Sequence, residues 1–361
     1  MENIKILATE SYLPKKEVKS EELEKIYKLE SGYIKKRTGI NKRYYVEEET
    51  MEDIVIKAVN NLISNFKFNK QEIGLIIVAT TTPEKFMPGI ANSVQKKLKI
   101  KNSNCIDILA GCNGYITAFD IASMCIQLGK VDKALVIGAE ILSKYTDEKD
   151  ISTRIILSDG VGVTLLGSCK EEKKYVSDIE SIPDEKDILS CEIGKHILMN
   201  GKEIYRYAVT EPVKSINRLL KKSSEKIENI KYIIPHQSNK KIIKGITNRL
   251  NITEEKMYTN IENVGNTFCA SIPIALKDMM DKKLLESGDK IILLGYGGGL
   301  NTGSILIEMW DVWCDVEWDK LLERVNYRYE KSFFIPRARS TICRNGKRYL
   351  RKIWGSQKNI W

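Results

Sequence analysis

Histidine is scarce in this chain: only His196 and His236 occur among 361 residues. Tryptophan is missing from the first 309 residues, and all five (Trp310, Trp313, Trp318, Trp354 and Trp361) crowd into the last 52. No apolar run approaches the roughly 20 residues that a membrane helix requires, so no membrane span is expected. The eight cysteines form no C-x-x-C pair and have no histidine at ligand spacing. A metal site and a disulfide framework are therefore not expected, and most of these cysteines should be small buried hydrophobes. Residues Met1 to Val18 contain no secretory apolar stretch closed by small residues, which predicts a cytoplasmic protein.

Acid is missing from one region only. All nine charged residues from Lys331 onward are basic, and residues 310–361 carry +6 of the net +10. We therefore read 310–361 as a basic, Trp-rich extension. Such a tail could bind nucleic acid or an acidic membrane surface, or be an extension with no selected role. Charge runs of this kind are usually unpacked tails, so no nucleic-acid partner is expected. Elsewhere the composition is that of an ordinary globular chain, with 42% hydrophobic and 29% charged residues overall.

Up to residue 309, strand-like and helix-like patterns alternate. Ile73–Ala79, Ala134–Gly138, Tyr232–Ile234 and Ile291–Leu294 are apolar runs of strand length. Met51–Asn65, Cys112–Leu128 and Asn239–Leu250 read as helices between them. The alternation predicts an α/β fold with a mostly parallel sheet. It also suggests a duplication, because Asp132–Gly138 echoes Asp289–Gly295, and each is followed by a glycine-rich turn and an apolar strand. The halves would span 1–168 and 169–309, joined by a charged, irregular connection near 168–200.

Chemistry concentrates in a few segments. A run read as a buried strand, Cys105–Leu109, leads into Ala110-Gly111-Cys112-Asn113-Gly114-Tyr115, and an apolar helix leads out. The small residues suit a sharp turn, and Cys112 would sit at a helix N-terminus, where the dipole lowers a thiol pKa. The bland alternative is one more buried cysteine. His236 ends an apolar strand, where α/β folds bind ligands, although a lone core histidine reads the same way. His196 falls in the charged connection and reads as solvated. Asn266, in Gly265-Asn266-Thr267, is either a site residue or a helix cap. The backbone N–H groups of Gly295–Gly299 could serve an oxyanion.

Taken together these segments resemble ketoacyl-ACP synthase III and its relatives. The matches run in family order through Tyr33–Ile40, Ala79–Pro83, Ala110–Tyr115, Ser158–Gly162, Met199–Ile204, Pro235–Asn239, Gly265–Thr267 and Gly297–Gly299. The resemblance implies a thiolase-like fold, two similar βαβ-type halves in a five-layered α-β-α-β-α arrangement. It implies a Cys112, His236 and Asn266 triad, with the backbone N–H groups of Cys112 and Gly298 as oxyanion hole. Tyr33 and Arg37 would bind CoA. Met87, Leu157 and Phe268 would line the acyl pocket, with Met87 reaching a partner's pocket in a homodimer. Lys240, Lys241, Lys244 and Arg249 would dock the carrier protein, or form a solvated lysine face.

The reaction implied is acyl transfer from an acyl-CoA to Cys112, then decarboxylative condensation with malonyl-ACP, with no cofactor beyond these thioester substrates. The alternatives are a related enzyme of a specialised pathway with another donor or acceptor, and a non-catalytic partner subunit. Several positions depart from the family pattern. Tyr33 stands where a tryptophan is common, Ile151 where a second stacking arginine is expected, and Met87 where an aromatic residue is usual. Phe268 and Cys269 replace smaller residues beside Asn266.

Overall fold

A computed structural model describes residues 3–310 of the chain. The readings placed on residues beyond 310 lie outside the described residues. Trp310 itself is packed, its ring 5.1 Å from both Lys5 Nζ and Lys173 Nζ.

The first half contains β1 (Asn3–Tyr12), β2 (Lys16–Lys19), α1 (Ser20–Ile26), α2 (Tyr33–Thr38), β3 (Lys42–Tyr45) and α3 (Met51–Phe66). Then follow β4 (Ile73–Ala79), α4 (Ile90–Leu98), β5 (Asn104–Ile108), α5 (Gly114–Gln127), β6 (Lys133–Glu140), α6 (Ile151–Arg154) and β7 (Gly160–Cys169). The second half contains β8 (Tyr175–Ser181), β9 (Leu189–Ser190), β10 (Leu198–Met199), α7 (Gly201–Ala208), α8 (Glu211–Ser223) and β11 (Tyr232–Pro235). It ends with α9 (Lys240–Leu250), α10 (Ile261–Val264), α11 (Ser271–Asp281), β12 (Lys290–Gly297) and β13 (Asn301–Glu308).

Five strands form one sheet in the order β1-β7-β6-β4-β5, and four form another in the order β11-β12-β13-β8. Read from its other edge, the second sheet repeats the first: β8, β13, β12 and β11 take the places of β1, β7, β6 and β4. Both sheets are mixed rather than mostly parallel. β4 runs parallel to β5 and β6, and β11 to β12, while β7 and β13 oppose their neighbours. The short Gly298–Leu300 turn leaves no room for a crossover, so β12 and β13 must form a hairpin.

Layering follows from which helix faces are apolar. α3 and α4 cover the outside of the first sheet, burying Ile54, Ala58, Leu62, Ala91 and Val94 against Ile76, Val78 and Leu135. The start of α3 is fixed by a capping box between Thr50 and Asp53. α5 and α11 lie between the sheets and touch both. α8 covers the second sheet and carries α9 beside it. The result is the expected five layers. Because α5 meets protein on two sides, Tyr115, Ile116, Ala118, Phe119, Ala122 and Ile126 are all fully buried.

Three expectations change. β5 is the edge of its sheet rather than a buried strand, leaving Ile106 37% and Leu109 72% exposed. α5 likewise bares one flank at Met124 and Leu128. The segment after residue 168 is not merely an irregular connection: β8 pairs with β13 over seven residues, and β9 and β10 form a small hairpin. Its charged start, Lys170–Lys174, hides this pairing in the sequence.

Candidate active site

Cys112 does not begin a helix. It sits in a 3-10 turn, Gly111–Asn113, and α5 starts at Gly114. Gly111 makes the turn possible with φ +56, and a Cβ there would meet the Gly298 carbonyl oxygen at 2.7 Å. The glycine run of the second half presses on the same turn. A Cβ on Gly297 would lie 2.6 Å from Cys112 Cβ and 2.9 Å from its Sγ, so that position must be glycine. The backbone N–H groups of Gly298 and of Cys112 itself approach the sulfur and pull its pKa down. Burial outweighs them, aided by charge on Glu140, and the thiol pKa is raised. This corrects the expectation of a lowered value: Cys112 is 3% exposed, and desolvating a thiolate costs more than the turn's dipoles return.

His236 follows β11, its N–H donating to Leu294 O at 2.7 Å. Burial lowers the imidazole to about 3, so it is neutral near pH 7. Its Nδ1 lies 2.7 Å from Ser271 Oγ at the start of α11. Tyr296 stacks edge-on at 5.3 Å and donates its hydroxyl to His236 O at 3.1 Å. Gln237 locks the backbone here. Its side chain accepts from Thr259 Oγ1, Asn260 N and Ile261 N, and donates to Pro235 O and Tyr258 O.

Asn266 is clamped by two backbone bonds, Asn266 N to Ile156 O at 3.0 Å and Ser158 N to Asn266 O at 2.9 Å. Its Oδ1 accepts the N–H of Phe268 at 2.9 Å. The carboxamide is thereby oriented, with Nδ2 near Ser238 O at 3.4 Å and available as a donor. Asn266 is thus not a cap that uses its side chain on α11.

The three residues converge through shared neighbours. Phe268, next to Asn266, packs with Cys112, while Gly297 and Tyr296 on one strand touch Cys112 and His236 respectively. The apolar side chains packed with Cys112 are Leu142, Leu157, Ile197 and Phe268, with Leu189, Tyr145 and Ile156 at their margin. Met87 is not in it. That residue is 86% exposed beside Phe86 at 81%.

Below the turn, Glu140 at the end of β6 is fully buried. It accepts from Thr81 N, Thr81 Oγ1, Thr82 Oγ1 and Cys269 Sγ, the last at 3.0 Å. Burial pushes its carboxyl up to about 7. Among the described residues no cation pairs with it.

Tyr33 and Arg37 share α2, the guanidinium 5.9 Å from the ring. Tyr33 and Ile151 belong to one apolar cluster. Arg154, three residues after Ile151, is bonded to Thr146 Oγ1 at 2.8 Å and stacked on Tyr45 at 4.7 Å. Lys240, Lys241, Lys244 and Arg249 all lie on the exposed face of α9, with Ile242, Ile243 and Ile246 buried beneath. Lys244 pairs with Glu254 at 3.0 Å. His196 is solvated, 54% exposed and 3.9 Å from Asp147.

Sequence reasoning missed Ser271, Glu140, Ile197 and Leu189. The last two sit in the segment read as a connection, without periodicity. Glu140 carried one signal, an acid closing a buried strand.

Two family models match the chain: 3-oxoacyl-[acyl-carrier-protein (ACP)] synthase III over residues 106–184, and its C-terminal domain over 220–309. The chain is 36% identical over 322 residues to the beta-ketoacyl-[acyl-carrier-protein] synthase III of Clostridium acetobutylicum, covering 85% of this chain and 99% of that protein. It is 39% identical over 324 residues to the protein of that name from Clostridium perfringens strain SM101, covering 86% and 100%. The crystal structure of 3-oxoacyl-[acyl-carrier-protein] synthase III from Aquifex aeolicus superposes with a TM-score of 0.82 at 36% identity, over 85% of this chain and all of that one.

Proposed function

The chain belongs to the 3-oxoacyl-[acyl-carrier-protein] synthase III family, and from that membership we propose what each part of its site does. The protein is an acyltransferase of the condensing type, acting in fatty acid biosynthesis. Cys112 Sγ attacks the carbonyl of an acyl-CoA thioester, and the CoA thiol leaves with the proton that Cys112 gives up. Malonyl-ACP then loses CO2. The enolate carbon attacks the acyl-cysteine, a carbon–carbon bond forms, and the released Cys112 thiolate takes up one proton. The product is 3-ketoacyl-ACP.

The observation that carries this assignment is the state of the two donors. His236 is neutral, and Asn266 has its oxygen tied to Phe268 N–H, so both can offer an N–H to the developing enolate oxygen. The backbone N–H groups of Cys112 and Gly298 would hold the oxyanion of the acyl-cysteine. Tyr33 and Arg37 would meet CoA, and Lys240, Lys241 and Arg249 the acidic carrier. Leu157 and Phe268 would line the acyl pocket. The bare edge at β5, with Leu109 and Met124 exposed, supports a homodimer in which Met87 reaches its partner's pocket.

No described helix is long and apolar enough to cross a membrane, in keeping with a cytoplasmic enzyme. The named relatives favour the fatty-acid reaction over a specialised pathway.

The test is incubation with a radiolabelled acyl-CoA followed by mass measurement of the peptide carrying Cys112. Label should appear there, vanish in Cys112→Ser, and be discharged by malonyl-ACP. In His236→Ala or Asn266→Ala, decarboxylation should fall about 10²–10³-fold while acylation falls less. Label elsewhere would sink the assignment.

A further inference from the structure

The end of β12 faces two ways, because successive residues of a strand point to opposite sides. Gly297 turns toward Cys112, where a Cβ would lie 2.6 Å from that of the cysteine. Tyr296 turns toward His236, its ring edge-on at 5.3 Å. Tyr296 is 2% exposed, so its phenol needs a partner inside the protein. It has two, His236 O at 3.1 Å and Ser238 Oγ at 2.9 Å.

A single hydrogen sets the direction of these bonds. A carbonyl can only accept, so the phenol hydrogen goes to His236 O, and the Ser238 hydroxyl is then the donor to the phenol oxygen. His236 O also accepts the N–H of Ser238 at 2.9 Å, which closes a tight turn over Gln237. Both acceptor positions of that carbonyl are thereby filled. The N–H of His236 is held by Leu294 O at 2.7 Å, so β12 grips this residue at both its N–H and its C=O.

The far end of the turn reaches the second donor. Ser238 O lies 3.4 Å from Nδ2 of Asn266. That amide has two hydrogens, and one directed at Ser238 leaves the other for substrate. His236 thus stands at one end of the turn, and the residue that meets Asn266 stands at the other. Ser271 meets the ring of His236, and the Gln237 side chain holds the strand end, while Tyr296 grips the turn at both of its ends. A phenylalanine would fill the same space against the imidazole, so the gripping atom is the hydroxyl.

Resting on the acyl-transfer reading above, we propose that Tyr296 and Ser238 are positioning residues for the decarboxylation step. Their paired hydroxyls hold the turn that carries His236 in register with Asn266, so that two N–H donors meet one enolate oxygen. Acylation of Cys112 draws on these donors far less.

The test times two steps separately in the full chain: acylation of Cys112 by acetyl-CoA, read by peptide mass, and release of labelled CO2 from malonyl-ACP. Tyr296→Phe keeps the ring and removes one oxygen. Its kcat for decarboxylation should fall about fivefold or more, the order that one lost hydrogen bond accounts for. KM for malonyl-ACP and the acylation rate should stay near wild type. Ser238→Ala should slow the same step several-fold, and Ser238→Thr, which restores the hydroxyl, should recover most of the loss. The double variant should be no slower than Tyr296→Phe alone, because the serine acts through the phenol. The Ser238 variants keep the proposal testable if Tyr296→Phe does not fold. Unchanged decarboxylation in the folded variants, additive losses in the double variant, or equal losses in acylation and decarboxylation would overturn the proposal while leaving acyl transfer standing. A wild type that neither labels Cys112 nor releases CO2 would instead overturn the acyl-transfer reading beneath it.

Discussion

Ser271 Oγ lies 2.7 Å from Nδ1 of His236, and the same oxygen accepts the N–H of Gln237 at 3.3 Å. The serine hydroxyl has one hydrogen; donated to Nδ1, it leaves His236 with its own hydrogen on Nε2, the nitrogen left for substrate. Ser271→Ala removes the partner that selects this tautomer. Decarboxylation of malonyl-ACP should fall about tenfold with little change in Cys112 acylation. Timing the two steps separately checks this, and Ser271→Thr, which restores the hydroxyl, should recover most of the loss.

The buried Glu140 makes a prediction with a definite sign. Burial raises its carboxyl from 4.5 to about 7, so between these values the folded protein holds a proton that the unfolded chain releases. Stability from this group is full below pH 4.5 and is lost as pH rises through 7. Each unit is about 1.4 kcal/mol, so the loss is on the order of 3 kcal/mol. Glu140→Gln should therefore gain melting temperature relative to wild type at pH 8 but not at pH 5. Charge on Glu140 also opposes thiolate on Cys112. In Glu140→Gln, iodoacetamide should alkylate Cys112 faster above about pH 7, where wild-type Glu140 is charged, and equally fast well below it, where the carboxyl is neutral. Equal rates above that pH as well would mean that the carboxylate does not reach the nucleophile electrostatically.

How far the sequence could be read depended on whether a feature was local. The strands Ile73–Ala79 and Tyr232–Ile234, the turn around Cys112, and the strand-end position of His236 are all written in short runs. Asn266 was visible as a turn residue. What it bonds was not, since its partners Ile156 and Ser158 lie over a hundred residues earlier. The thiol pKa was misjudged for the same reason. A turn at a helix start can be seen in sequence, but the burial that outweighs its dipoles comes from Leu142, Leu157, Ile197 and Phe268, brought in by distant segments, and is aided by charge on Glu140. β5 looks buried by composition because apolar residues on an edge strand read the same way as those inside a sheet.

Reversing charge on α9 should act on the carrier protein and not on small thioesters. Lys244 already pairs with Glu254, so Lys241 and Arg249 are the better targets. Lys241→Glu with Arg249→Glu should raise KM for malonyl-ACP several-fold, more at low salt than at high, because steering by exposed charge is screened. KM for malonyl-N-acetylcysteamine should stay unchanged. Equal effects on both substrates would assign the loss to folding.

The exposed edge of the first sheet predicts the oligomeric state. β5 reads Asn104-Cys105-Ile106-Asp107-Ile108 and carries no lysine, arginine or proline, the usual guards of a free edge. Ile106 and Leu109 on this strand and the residue after it, with Met124 and Leu128 on α5, leave an apolar border around it. The same strand anchors the segment that carries the exposed Phe86 and Met87, since Asp107 accepts the N–H of Ala91 at 2.8 Å at the start of α4. The chain should therefore sediment as a dimer at micromolar concentration. Ile106→Lys with Leu109→Lys places two charges along the edge and should yield a folded monomer. Acylation of Cys112 should fall with dimerisation if Met87 completes the partner's pocket. A variant that remains dimeric would move the interface elsewhere, and a monomer with full activity would remove Met87 from the acyl site.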